Sequence, residues 1–314
     1  MSTRTFKASA PGSLMLLGEH AVLQGHPAIV CSVDQHVEIT LKPRKDDTVT
    51  ITSALGKYQN ELKAIKSQAP FEFVLTAIQS TKSLPSGFDI IIESDLNHNM
   101  GLGSSAAVTV AMVNVLNQFA SKKPAPQELE IEDEATPASD GEIVVDIQAT
   151  QELFTQALEV VRAVQGKGSG ADVAASVYGN CVYYRMDPCE IKLLANTPPI
   201  YAVYCGYKTP TPKVIHIVET LRQENPERYE SLFTEIGRCA EAGMQAIEAG
   251  DWDTLALTMK NNHQLMDQLG VNDDTLQEIV ETLEAREDTL AAKISGSGLG
   301  DCVVGLLKNA PGDD

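Results

Sequence analysis

One turn constrains this chain more than any other stretch. Met100-Gly101-Leu102-Gly103-Ser104-Ser105-Ala106-Ala107 stands between a β-branched run, Phe88–Glu93, and a long apolar stretch with helical character, Ala106–Phe119. A strand must therefore hand over to a buried helix through glycines. Glycine adopts positive φ without cost and lets a ligand approach the backbone. The first turn of the helix leaves N–H groups without partners, and the dipole makes that end positive. A phosphate is the natural occupant of such a place. Ser104 and Ser105 add hydroxyls for phosphate oxygens or a Mg²⁺ ion. The turn lacks the lysine of a P-loop and the third glycine of a dinucleotide fingerprint. A plain helix cap needs one serine and no flanking glycines, so phosphate binding is the favoured reading.

The rest of the chain alternates strand and helix patterns. Ala28–Leu41 reads as one long strand or two, and Thr48–Thr52 as a half-buried strand. Phe71, Val74, Leu75 and Ile78 fall at helical spacing within Pro70–Lys82. A helix spans Ile147–Val164, with a shorter one starting at Ala171. Strands follow at Asn180–Arg185 and Ile200–Cys205. Pro212–Glu287 reads as four helices, broken near Asn225-Pro226, Gly250 and Gly270. The chain closes as strand, glycine turn, strand: Ala291–Ile294, Ser295–Gly300, Cys302–Leu307. A shift in composition near 185–200 sets the expected boundary between two domains, 1–190 and 191–314.

Charge removes several function classes. The 314 residues carry a net charge of −19, which argues against a nucleic-acid or anionic-membrane surface. A local loop can still bind phosphate inside a negative protein. No run approaches the roughly 18 apolar residues of a membrane span. The opening Met1–Lys7 has no apolar signal region, so a cytoplasmic location is expected. The cysteines at 31, 181, 189, 205, 239 and 302 show no CxxC or zinc spacing and read mainly as reduced, buried thiols. Between Lys123 and Arg162 there is no Lys or Arg, while Glu128 to Asp146 is rich in acids. A solvated connector is favoured there over an acidic docking segment.

Three further segments carry chemistry. In Gln165-Gly166-Lys167-Gly168-Ser169-Gly170-Ala171-Asp172, a lone acid follows a glycine turn at a helix start. Asp172 could take a proton from an attacking hydroxyl, or simply complement the helix dipole. In Lys293–Cys302, Gly296, Gly298 and Gly300 exceed what a hairpin needs, which suggests backbone passing close to a substrate. Ala10-Pro11-Gly12-Ser13 precedes Gly18-Glu19-His20-Ala21-Val22, where Glu19 and His20 taken alone read as a satisfied turn pair.

Together these segments resemble the GHMP kinase superfamily, from Ala10 to about Leu307. Gly101–Ala107 is similar to its ATP-phosphate loop, Ser169–Asp172 to the segment holding its catalytic aspartate, and Ser295–Gly300 to its third motif. Gly18–Val22 followed by Gly25 looks like the mevalonate kinase branch, whereas Gln165–Gly179 and Gly300-Asp301-Cys302 look more like the phosphomevalonate kinase branch. The resemblance implies an α+β GHMP kinase fold in two domains. The N-terminal half would be ribosomal-protein-S5-domain-2-like and the C-terminal half helix-rich and ferredoxin-like. It implies transfer of the ATP γ-phosphoryl group, with Mg²⁺, to a small-molecule alcohol. The 5-hydroxyl of mevalonate is the first expectation. Phosphomevalonate, or a binding protein without transfer activity, is the alternative.

The same resemblance gives each residue a role. Met100, Gly101, Leu102, Gly103, Ser104, Ser105 and Ala106 would hold ATP, with Ser105 also on the metal. Asp172 would be catalytic, and Ser13, Glu19, His20, Gly296 and Ser297 would line the substrate pocket. A homodimer is an assembly it allows. Two positions depart from the family pattern: Ser13 stands where a lysine is expected, and Val161 where a metal-binding glutamate is expected. Lys208, Lys213 and Lys167 are the candidates to supply the missing cation.

Overall fold

The computed structural model describes residues 5–96, 100–121, 147–166 and 168–309. The acidic segment from Glu128 to Asp146 and Lys167 lie outside the described residues.

β2 (Pro27–Pro43) is the spine of a seven-stranded sheet. It pairs antiparallel with β1 (Phe6–Leu17) along most of its length. On its other edge, its first residues pair with β6 (Cys181–Arg185) and its last with β5 (Phe88–Ser94). Changing partners midway lets one strand run through the whole β-branched stretch, so the sequence holds one long strand and not two. β3 (Thr48–Ser53) runs parallel to β5 and forms a hairpin with β4 (Gly56–Glu61), while β7 (Glu190–Leu193) extends β6. β4 and β7 escape sequence reading because both are largely exposed edge strands with weak signals: β4 has Tyr58 as its only apolar residue, and β7 alternates over just four residues.

Helices α1 (Glu72–Ser80) and α2 (Ser104–Ser121) precede and follow β5 along the chain; α3 (Ile147–Gln165) and α4 (Ala171–Tyr178) come next. α2 and α4 lie on β1 and β2, and α1 and α3 pack against α2. α2 is thus enclosed by strands and helices. That is why Ala106, Ala107, Val110, Ala111, Met112, Val115 and Leu116 are all buried and no clean polar face develops.

The second half builds a three-stranded antiparallel sheet, in the order β8 (Ile200–Tyr204), β10 (Cys302–Leu307), β9 (Thr289–Ser295). Four helices precede β9: α5 (Thr211–Glu224), α6 (Pro226–Ala249), α7 (Trp252–Gln268) and α8 (Asp274–Glu284). The starts of α6, α7 and α8 are fixed by side-chain caps: Asn225 accepts from the Arg228 N–H, Asp251 from Thr254 and Asp273 from Leu276. α6 ends at Gly250 in the left-handed conformation. The larger apolar core does not stop at the first sheet. It continues into Ala240, Ile247, Leu255, Met259, Ala291, Val304 and Leu306, so the two sheets share packing. All six cysteines are free; Cys31, Cys181 and Cys302 are buried as expected, but Cys189 is exposed.

Candidate active site

The glycine loop is built around β1. Gly101 and Gly103 have φ of 65° and 64°, and α2 starts directly after them. The Ser13 N–H donates to the Leu102 carbonyl at 3.0 Å, tying β1 under the loop. A Cβ at Gly103 would collide with Ser13 Oγ, and one at Gly101 with the Asp301 carboxylate. Glycine is required at both places by close approach as well as by φ. Leu102 and Ala106 bury their side chains in the core, so they can serve a ligand only through the backbone. Ser104 and Ser105 stay partly accessible at the helix start. The Met100 carbonyl accepts from Cys302 Sγ at 2.9 Å, which anchors the front of the loop to β10.

Asp172 lies in the first turn of α4, behind Gly170 at φ 94°. The Tyr184 hydroxyl donates to the Ser169 carbonyl at 2.5 Å and pins this turn to β6. Ser13 Oγ donates to Asp172 Oδ1 at 2.8 Å. One buried hydroxyl therefore touches both the glycine loop and the carboxylate. The Asp172 residue itself is exposed, so Oδ2 is open to a ligand. Ser13 holds the position of the expected cation as a neutral donor. Val161 is buried in the core and offers no metal ligand.

The third glycine turn docks onto the end of β1 through three contacts. Lys293 Nζ donates to Glu19 Oε1 and to the Ile294 carbonyl, Ser295 Oγ to the Met15 carbonyl at 2.7 Å, and His20 Nε2 to the Ser297 carbonyl at 2.9 Å. Glu19 and Lys293 are almost completely buried. Burial pushes the Glu19 carboxyl up and the Lys293 ammonium down from their ordinary values, and each charge opposes the other's shift. Burial also lowers His20, which keeps its ring neutral. Glu19 and His20 are thus a bridge to the C-terminal half and not the local turn pair that they suggest in isolation.

Three polar atoms of these turns are buried without a partner: Glu19 Oε2, Ser297 Oγ and Asp301 Oδ1. Such atoms are costly unless a ligand or water completes them. Three non-glycine residues, His20, Leu299 and Asp301, also have positive φ here, a strain typical of functional turns. Gly296 is the one glycine of the turn that faces this space, with Asp301 Oδ2 beyond it. Gly298 and Gly300 answer to protein packing instead. A Cβ at Gly298 would strike the Val271 carbonyl, and one at Gly300 would press on Tyr207. Close approach to a substrate is not what requires them.

Asp301 completes the cluster. Its carboxylate lies against Gly101, and Lys208 Nζ is 3.2 Å from its Oδ2. Burial pushes the Asp301 carboxyl up, Lys208 opposes this, and the charge of Asp172 adds to it. Sequence reading assigned no role to Lys293 or Asp301. A lysine inside the apolar strand Ala291–Ile294 was the available signal for the first. Lys213, by contrast, is exposed on α5.

Comparison with known proteins agrees with this layout. The GHMP kinases N-terminal domain model matches residues 70–141, and the GHMP kinases C-terminal model matches residues 244–313. A mevalonate kinase of Archaeoglobus fulgidus is 29% identical over 96% of this chain and 92% of its own length. One from Aeropyrum pernix is 26% identical over 97% and 89%. The L. major mevalonate kinase, solved with R-mevalonate, superposes with a TM-score of 0.74 at 23% identity, covering 96% of this chain and 87% of that one. With the N-terminal model matched in one half and the C-terminal model in the other, the chain carries GHMP kinase N- and C-terminal domains in a GHMP kinase fold.

Proposed function

We propose that this chain transfers the γ-phosphoryl group of ATP to the 5-hydroxyl of mevalonate. The observation that carries the reading is the Ser13 hydroxyl, which donates to Asp172 Oδ1 while lying against Gly103 of the loop. That contact sets one open carboxylate oxygen beside a loop suited to phosphates. Phosphoryl transfer asks a protein for positioning and charge stabilisation more than for covalent chemistry. The backbone N–H groups from Gly101 to Ala106 receive the phosphates. The acceptor hydroxyl donates to Asp172 Oδ2. As its oxygen bonds to phosphorus and the bridging bond to ADP breaks, its proton passes to Asp172 and ADP leaves with the electron pair.

The donors fit a nucleotide-borne Mg²⁺. That ion takes one or two carboxylates or hydroxyls and completes its shell with phosphates and water. Ser105 and Asp172 are accessible oxygen donors of this type, in the first turns of α2 and α4. When bound, the ion would neutralise phosphate charge.

Mevalonate is favoured over phosphomevalonate by the curated relatives and by charge. A second phosphate calls for several cations. Among the described residues, the cations at the glycine turns are Lys208, Lys293 and Arg162; Lys293 is sealed on Glu19 and Arg162 Nε is bonded to the Gly168 carbonyl, which leaves too few for a further phosphate. The test is ADP release from Mg-ATP, run on mevalonate and on 5-phosphomevalonate in parallel. Turnover on mevalonate is expected, with Asp172→Asn lowering kcat by about 10³-fold while nucleotide affinity holds. Turnover on phosphomevalonate alone, or near-wild-type kcat in Asp172→Asn, refutes the reading.

A further inference from the structure

Phosphoryl transfer builds negative charge on the moving group, and a cation beside it is worth a large rate factor. Asp172 is bonded to a neutral hydroxyl, so β1 supplies no such cation. Lys293 is sealed on Glu19 at the other end of β1. Lys208 is different. Its Nζ is 3.2 Å from Asp301 Oδ2, and the Asp301 carboxylate lies directly against Gly101 of the phosphate-type loop. Its side chain is 34% exposed, so it can move toward a ligand.

The backbone around Lys208 is strapped to the same place. The Asp301 N–H donates to the Tyr207 carbonyl at 2.9 Å, and the Cys205 N–H donates to the Asp301 carbonyl at 3.0 Å. The Tyr207 hydroxyl donates to Asp273 Oδ2 at 2.7 Å, fixing the loop to the cap of α8. The stem of Lys208 therefore starts from a held point, while its ammonium keeps three donors. One donor satisfies Asp301, and others remain for phosphate oxygens.

We propose that Lys208, held at the mouth of the glycine loop by Asp301, is the cation that stabilises the transferred phosphoryl group. The proposal rests on the kinase reading above. In it Lys208 touches the γ-phosphate, and Asp301 acts through Lys208 as a positioning residue. Lys208 in turn keeps the Asp301 carboxylate from facing the nucleotide unpaired.

The test uses the full chain and the variants Lys208→Met, Lys208→Arg, Asp301→Asn and the double variant, with Lys192→Met as the control on a distant exposed pair with Glu248. Steady-state kinetics with Mg-ATP and mevalonate is run beside calorimetric binding of Mg-AMP-PNP and Mg-ADP. Lys208→Met is expected to lower kcat by about 10²–10³-fold with KM for mevalonate nearly unchanged. It should also reduce the preference for AMP-PNP over ADP by about tenfold, because only the former carries a γ-phosphate. Lys208→Arg should restore most of both. Asp301→Asn should cost less and add nothing in the Lys208→Met background, a coupling that a purely structural role would not give.

A kcat within threefold of wild type in Lys208→Met, with the nucleotide preference intact, overturns the proposal and leaves the kinase reading standing. If the wild type transfers to no acceptor yet binds AMP-PNP, the kinase reading fails, and the binding preference alone decides whether Lys208 contacts the γ-phosphate. If no nucleotide binds, both are overturned.

Discussion

Replacing Lys293 by Met isolates the buried charge pair that joins the two halves of the chain. The methionine matches the length of the lysine stem and removes only the ammonium. Glu19 then keeps a carboxylate in a site where it is 1% exposed, with Oε2 already lacking a partner and Oε1 newly deprived of one. Breaking one side of such a pair costs about 3–5 kcal/mol, against a typical total stability of about 5–15 kcal/mol. The protein can limit this loss by protonating Glu19, which raises its folded-state pKa further above 4.5. A carboxyl whose folded pKa is raised contributes fully below its unfolded value and loses that contribution as pH rises through the folded value. The deficit of Lys293→Met should therefore be largest at pH 7 and shrink toward pH 5.

Adding Glu19→Gln to Lys293→Met should recover stability to within about 1–2 kcal/mol of wild type, since no charge is then left unpaired. Urea unfolding followed by circular dichroism at pH 7 and pH 5 gives both numbers, provided that the m-value is unchanged. A deficit below about 1 kcal/mol at pH 7, or one equal at both pH values, would show that Lys293 does not compensate Glu19.

Two further outcomes test the loop. Gly103→Ala puts a Cβ onto Ser13 Oγ at a φ of 64°, so KM for ATP should rise at least about tenfold in the same ADP-release assay. An unchanged KM would mean that the loop does not seat the nucleotide. Ser13→Ala frees Asp172 Oδ1 and should lower kcat by about tenfold with nucleotide affinity held; a loss confined to nucleotide binding would place Ser13 with the phosphates instead.

The elements that sequence made legible are those with a strong period or a glycine signature. α2 reads clearly because a buried helix is apolar throughout, and the break at Gly250 reads because a left-handed cap needs glycine. β4 and β7 do not read, because one apolar residue in an exposed edge strand, or an alternation only four residues long, gives no usable period. The site divides in the same way. Local geometry at Gly101–Ser105 and Asp172 follows from chain order, since a loop and the helix it opens are neighbours. The pairings Ser13 with Asp172, Glu19 with Lys293, and Lys208 with Asp301 join residues 159, 274 and 93 positions apart. No local pattern encodes such contacts. A single lysine in an apolar strand was the one trace of them.

Those long-range pairings share an anchor, and the anchor explains why the third turn carries so many constraints. Residues 293–302 touch β1 at Met15 and the turn after it at Glu19 and His20, the glycine loop at Met100 and Gly101, and the Tyr207 loop from the other side. A turn with that many neighbours has no room for side chains at Gly298 and Gly300, and it must bend through positive φ at Leu299 and Asp301. Its glycines are therefore spent chiefly on protein contacts, whereas its polar side chains carry the chemistry: Lys293 neutralises Glu19, and Asp301 holds Lys208. If so, a cation missing from β1 is made good by the C-terminal half. Catalytic competence would then depend on the docking of the two halves as much as on the loop itself. Loosening the strap at the Tyr207 hydroxyl, by Tyr207→Phe, removes one hydrogen bond worth about 1 kcal/mol. It should lower kcat through Lys208 while leaving mevalonate KM alone, and the Lys208→Met background should erase that effect.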